Sequence, residues 1–282
     1  MVASGLLVSS ASPILAAPAT SKPPVISVTV APKQTTVDAA ELTQRPGVIA
    51  IALTAVGGEQ QLSVYRLRKG YIPAAVVRDY AAMKRVGEGG TARKDIGHAK
   101  RLMQSIVVVG GLDVAAGHRT VATLALGPGT YFLDDNLSKT DERLRTLRIA
   151  GAPTTATAPL PKAKVTLTQL AAIGGDSVLP RRGVVRFDNT ATAPRWFHAR
   201  IQQVVPGTTA EQVAAYFDGE RRGGNFFLPA FVGTGILSSG RSQLLRLNLP
   251  AGTYAVICAT PDIDAPGTSY AAEGMVRIVT VR

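Results

Sequence analysis

Cysteine occurs once in the 282 residues, at Cys258. A lone thiol excludes an intrachain disulfide, so an apolar core must hold the fold, and Cys258 is either a buried hydrophobe or a ligand. Histidine is almost as scarce: His98, His118 and His198 are the only imidazoles, and none stands in an HExxH, GxSxG or comparable catalytic signature. Cys258 and His198 could be drawn as nucleophile and base, but apolar flanks would raise the thiol pKa and leave it unreactive. The chain is therefore not expected to be an enzyme. Aromatic residues make up 5% of the sequence, and no Lys or Arg run is interleaved with them. That excludes a base-stacking platform and with it specific nucleic-acid binding. Acidic residues are in deficit, 19 against 31 Lys and Arg, for a net charge of +12. Such a balance attracts polyanions such as anionic cell-wall polymer or lipid headgroups, without defining a function. After the N-terminal segment there is no run of about 20 apolar residues, so no transmembrane segment is expected in the mature chain.

The first nineteen residues, MVASGLLVSSASPILAAPA, carry no charge, an apolar centre and the small-residue pattern Ala17-Pro18-Ala19. They read as a secretory signal peptide and imply a secreted or cell-envelope-associated protein. The missing positive n-region means that the true start lies upstream of Met1 or that the segment is of another kind. The length suits two domains. The expected division is a signal peptide and linker over 1–24, a domain over 25–150, a linker over 151–162 and a second domain over 163–282.

That division follows an internal repeat. GPGTYFLDD at 127–135 overlays PAGTYAVIC at 250–258, each preceded by an apolar strand, VATLAL and LLRLNL. Gly47 and the apolar run after it match Gly183 and its run, and Tyr80 falls on Tyr216 at the same separation. Helices are expected in both copies: one from Pro73 to about Arg85, and one over about 209–218 behind a capping box at Thr208 to Glu211. Each copy reads as strands, one short helix and more strands. The fold class expected is all-β, two tandem Greek-key sandwiches.

The stretch from Leu249 to Val279, LPAGTYAVICATPDIDAPGTSYAAEGMVRIV, carries the most specific pattern. Thr253 to Ala259 alternates as a half-buried strand that ends near Cys258, a Pro-, Asp- and Gly-rich excursion follows, and Met275 opens a last strand, Val276 to Val281. A thiolate at a strand end and a thioether where the next strand begins suit a soft cation, copper above all. In this pattern the chain resembles the cupredoxin-like domains, relatives of plastocyanin and azurin, whose ligands are an upstream His, then Cys, a loop, a His and, after four residues, Met. Cys258 and Met275 fit that order, and His198 would be the upstream His. Tyr270 stands where the resemblance implies the second His. At the offsets of the repeat, His198 aligns with Leu62 and Cys258 with Asp135, so the first copy lacks both anchors.

The first copy carries an insertion instead, KRVGEGGTARKDIGHAKRLMQ, the most basic surface loop of the chain. Its Lys84, Arg85, Arg93, Lys94, Lys100 and Arg101 would dock an anionic envelope polymer or an acidic protein, or simply stand solvated. The acidic pairs Asp134-Asp135 and Asp262-Ile-Asp264 read as turn residues at strand ends. Two functions stay open: a secreted non-catalytic binding or structural module of the envelope without a cofactor, or a copper-binding protein working in electron transfer or copper handling.

Overall fold

The computed structural model describes residues 21–32, 34–38, 42–135, 144–169, 172–219 and 225–282. The leader expected over the first nineteen residues lies outside the described residues. In chain order the first half runs β1 (Val25–Ala31), β2 (Gln34–Val37), β3 (Thr43–Gln44), β4 (Gly47–Ala55), β5 (Gln60–Leu67), α1 (Pro73–Gly87), α2 (Arg93–Ser105), β6 (Ile106–Val114), β7 (Arg119–Leu126), β8 (Gly129–Asp134) and β9 (Arg145–Ile149). The second half runs β10 (Ala163–Thr168), β11 (Ala172–Gly175), β12 (Val178–Leu179), β13 (Arg182–Asn189), β14 (Trp196–Phe197), β15 (Arg200–Val204), α3 (Ala210–Phe217), β16 (Phe227–Thr234), β17 (Leu237–Ser238), β18 (Ser242–Asn248), β19 (Gly252–Ile257) and β20 (Val276–Val281).

Alternation makes the outer strands: in β1, Ile26, Val28 and Val30 turn inward and the residues between them face out. β6 is buried along its whole length, as its continuous apolar run IVVV requires. The strands form two large sheets of order β2-β1-β4-β7-β18-β13-β10-β11 and β3-β9-β8-β5-β6-β16-β15-β19-β20-β12. One core joins them, with Ile26, Ile51 and Leu124 from the first sheet and Val64, Leu112 and Leu133 from the second. The class is all-β, as the patterning implied.

Both orders read alike from either end, so that β7 meets its counterpart β18 and β6 meets its counterpart β16, each antiparallel. The two halves are thus related by a pseudo-twofold axis, and each contributes strands to both sheets. The pairing covers β6 and β7, which would be open edges in an isolated half. Gln243 helps to close the seam. Its buried amide accepts from Gly111 N at 2.9 Å and donates to Gly111 O at 3.0 Å, tying β18 of one sheet to β6 of the other. Gly110 makes room for it, and Gly111 for the adjoining strand β5. Gly110 has φ +151°, where a Cβ would lie 2.4 Å from Gln243 Oε1, and a Cβ on Gly111 would lie 1.9 Å from the Leu62 carbonyl oxygen.

Strand pairing also corrects two of the equivalences read from the repeat. Ile51 pairs with Ala122 and Val185 with Leu245, which sets β4 and β13 two residues away from the Gly47–Gly183 match. A slip of two leaves the inward face unchanged, so burial alternation alone does not detect it. Likewise Ser63 opposes Asp134 where Arg200 opposes Ile257, and His198 is level with Gln61 instead of Leu62. Both β5 and β15 carry an irregularity in register, which a sequence offset does not see.

The helices differ between the halves. α3 begins one residue later than the capping box read at Thr208 to Glu211: Thr209 and Gln212 satisfy each other's backbone N–H, while Thr208 Oγ1 donates to Val205 O. α1 starts on Pro73 and buries Val76, Asp79, Ala82, Met83 and Val86. The helix expected from Pro73 is α1, and most of the basic insertion, read as a surface loop, forms a second helix, α2, packed in a satellite core of Val76, Met83, Leu102 and Met103. Ala99, Leu102 and Met103 recur at helical spacing within the insertion. That period is overshadowed in the sequence by the surrounding Lys, Arg and Gly.

Candidate metal centre

Cys258 follows directly on β19 and Met275 directly precedes β20. The Cys258 N–H donates to Met275 O at 3.2 Å, extending the β19–β20 ladder by one rung. The intervening excursion folds back on itself: Tyr270 N donates to Thr260 O at 3.1 Å and Asp262 N to Thr268 O at 3.0 Å. The ladder draws Tyr270 and Met275 back over Cys258. All three lie in the main core, with Cys258 and Met275 wholly inaccessible. Tyr270 packs edge-on against Phe197, 5.0 Å between ring centroids. His198 follows Phe197 between β14 and β15, so the sheet delivers it to the same end of the sandwich.

Thr260, not singled out by the sequence pattern, stands between imidazole and thiol. Its Oγ1 is 3.0 Å from His198 Nδ1, and the Cys258 thiol donates to the same oxygen at 3.6 Å. Burial pushes the Cys258 thiol up, against the opposing pull of the Thr260 hydroxyl and of the Thr260 and His198 backbone N–H groups. Burial, and secondarily the Arg200 charge, push the His198 imidazole down to about 4. It is neutral at physiological pH.

The phenol that stands in the second-histidine position faces elsewhere. Arg195 donates to Tyr270 Oη at 2.7 Å and to Asp262 Oδ1 at 3.1 Å, while its other nitrogen lies 3.1 Å from Asp264 Oδ2. Burial, then the Asp262 charge, raise the Tyr270 pKa, keeping it a neutral donor. Among the described residues no group of three His, Cys, Asp or Glu side chains is placed to hold a metal. The imidazole Nδ1 is turned to Thr260 and the phenol to Arg195, so both are engaged by partners within the protein.

The first half covers this loop. Gly267 N donates to Val86 O at the end of α1 at 2.9 Å, and Lys100 of α2 pairs with Asp264 at 2.8 Å. Ile263 and Trp196 of the second half enter the satellite core beneath α1 and α2. The helix pair is itself pinned by Asp79, fully buried on α1. Its carboxylate receives Arg101 at 2.8 Å, Arg78 at 2.7 Å and Tyr71 at 2.8 Å, and lies 2.5 Å from His98 Nδ1. Burial alone would raise its pKa, but these hydrogen bonds together outweigh burial and hold it well below the carboxylate range. Of the six insertion cations, Arg85, Lys100 and Arg101 are thus committed to Asp95, Asp264 and Asp79. Of the acidic pairs, Asp262 acts as a turn residue, accepting from Asp264 N at 2.8 Å, and Asp134 accepts from Tyr65 Oη at 3.1 Å.

No family model matches the chain, and no curated protein matches it in sequence. Among solved structures it is similar to auracyanin B, at 21% identity over 45% of this chain and 91% of that one, with a TM-score of 0.29. It is similar also to the dithionite-reduced auracyanin of Roseiflexus castenholzii, at 24% identity over 42% of this chain and 94% of that one, TM-score 0.27. A multicopper oxidase aligns over 92% of this chain and 88% of its own at 11% identity, TM-score 0.26. The all-β class itself rests on the chain's own strand topology.

Proposed function

We propose that the chain is a non-catalytic binding or structural module of the cell envelope, a fused pair of cupredoxin-like halves in which the copper-type position has become part of the core. One observation carries this reading: the residues at the ligand positions are spent on internal partners, Thr260 for His198 and Cys258 and Arg195 for Tyr270, beneath a cap of helices. Buried polar groups that already have partners gain little from a metal that must first displace them. The net charge of +12 supports attachment to anionic polymer. Lys84, Arg93 and Lys94, which make no ion pair among the described residues, are the insertion cations left to provide it.

The test is addition of Cu(I) and Cu(II) to the purified chain, followed by dialysis. No retained copper and no thiolate-to-copper absorption are expected, and Cys258 should react with a thiol reagent only on unfolding. Stoichiometric retention that disappears in Cys258→Ala would establish the copper-binding reading instead. Attachment should weaken with salt on anionic vesicles and weaken further in Lys84→Gln/Arg93→Gln/Lys94→Gln. Salt-indifferent retention would contradict it.

A further inference from the structure

We infer that the seam between the halves carries a binding cleft for a phosphomonoester with an apolar substituent. Two hollows, of about 360 and about 600 Å³, lie side by side where β5 ends and β6 begins, and both are walled by Arg68, Val107 and Arg241. Arg68 belongs to the first half and Arg241 to the second, so neither half alone forms the site. Arg66 and Lys69 line the larger hollow, Trp196 and Met103 the smaller, and among the described residues no Asp or Glu lines either.

Arg78, Arg85, Arg101, Arg186, Arg195 and Arg200 each pair with a carboxylate. Arg66, Arg68, Lys69 and Arg241 make no ion pair among the described residues. Four unmatched cations around one cleft repel one another, and a dianion relieves that repulsion. Guanidinium forks contributed by both halves suit a tetrahedral oxyanion better than a point charge. The smaller hollow adds a second, independent sign of a ligand. Trp196 is 1% exposed, yet its indole Nε1–H has no hydrogen-bond partner among the described residues. An oxygen of the ligand would accept from it, and the Trp196 and Met103 side chains would flank the apolar substituent.

Trp196 is the only tryptophan, so intrinsic fluorescence reports on this cleft alone. Phenyl phosphate titrated into the full chain at fixed ionic strength should change that fluorescence saturably, and inorganic phosphate should compete with lower affinity. Arg68→Gln and Arg241→Gln, with far-ultraviolet circular dichroism confirming the fold, should each weaken binding about tenfold. Lys84→Gln/Lys94→Gln, the same charge removed elsewhere, should leave it unchanged. A fluorescence response that never saturates, or one that the Lys84/Lys94 variant weakens as much as the arginine variants do, would overturn the inference. Copper retention at Cys258 would leave it standing.

Discussion

Replacing Asp113 by asparagine should make the protein more stable at alkaline pH relative to wild type, although the substitution removes one partner of an ion pair. Asp113 lies on β6 at the seam, 4% exposed, with Arg200 of the other half at 3.4 Å. Arg200 is shared: it holds Glu59 with two hydrogen bonds, at 2.5 and 3.0 Å, and stacks over the Phe231 ring at 3.6 Å. One Asp113 oxygen has no hydrogen-bond partner among the described residues. Burial therefore wins, with Arg200 opposing it and Glu59 adding to it, and the carboxyl is pushed from its ordinary 3.8 up to about 7. A folded-state pKa above the unfolded one means that ionisation costs stability. The contribution is whole below about pH 4, declines as pH rises toward 7, and is flat beyond. At about 1.4 kcal/mol per pH unit, the loss amounts to about 4 kcal/mol. Asparagine cannot ionise, so the variant escapes it.

The assay is urea unfolding of both proteins at about pH 4 and about pH 8, taking the difference between them at each pH. That difference cancels the titration of groups that do not interact with Asp113, including Asp79, which the variant leaves in place. It should move in favour of Asp113→Asn by about 4 kcal/mol between the two conditions. A difference independent of pH, or one that moves toward wild type as pH rises, would refute the assignment of a desolvated carboxyl at the seam.

Gln243→Ala should cost about 2–4 kcal/mol, since two hydrogen bonds to Gly111 are lost and its backbone groups are left buried without them; urea midpoints at constant m-value will show it, and a cost below about 0.5 kcal/mol would mean that the seam does not need the amide. Asp79→Asn should loosen α2 by about 3 kcal/mol, because Arg78, Arg101 and His98 lose their common carboxylate. Hydrogen exchange of the 93–105 amides should accelerate while that of β4 does not. The folded carboxyl pKa is depressed, so this contribution is present above about pH 4 and is lost as pH falls. The accelerating effect of the substitution should accordingly shrink under acid conditions.

The amino-acid sequence by itself determined the all-β class, the strand alternation, the presence of α3 and the doubling of the chain, because these are written in periods of a few residues and in recurring turn glycines. It also placed Cys258 and Met275 at facing strand ends, since the strand breaks on either side of the 258–275 excursion are local. The tertiary structure alone decided that the halves share both sheets, because β6 and β7 look the same in sequence whether their outer edges meet water or another strand. It turned the basic insertion into a helix pinned by Asp79 and laid over the Cys258 loop. It also supplied Thr260, Arg195 and Gln243 as partners. Side chains choose their partners across a core from what the fold brings within about 3 Å, and no spacing along the chain records that distance.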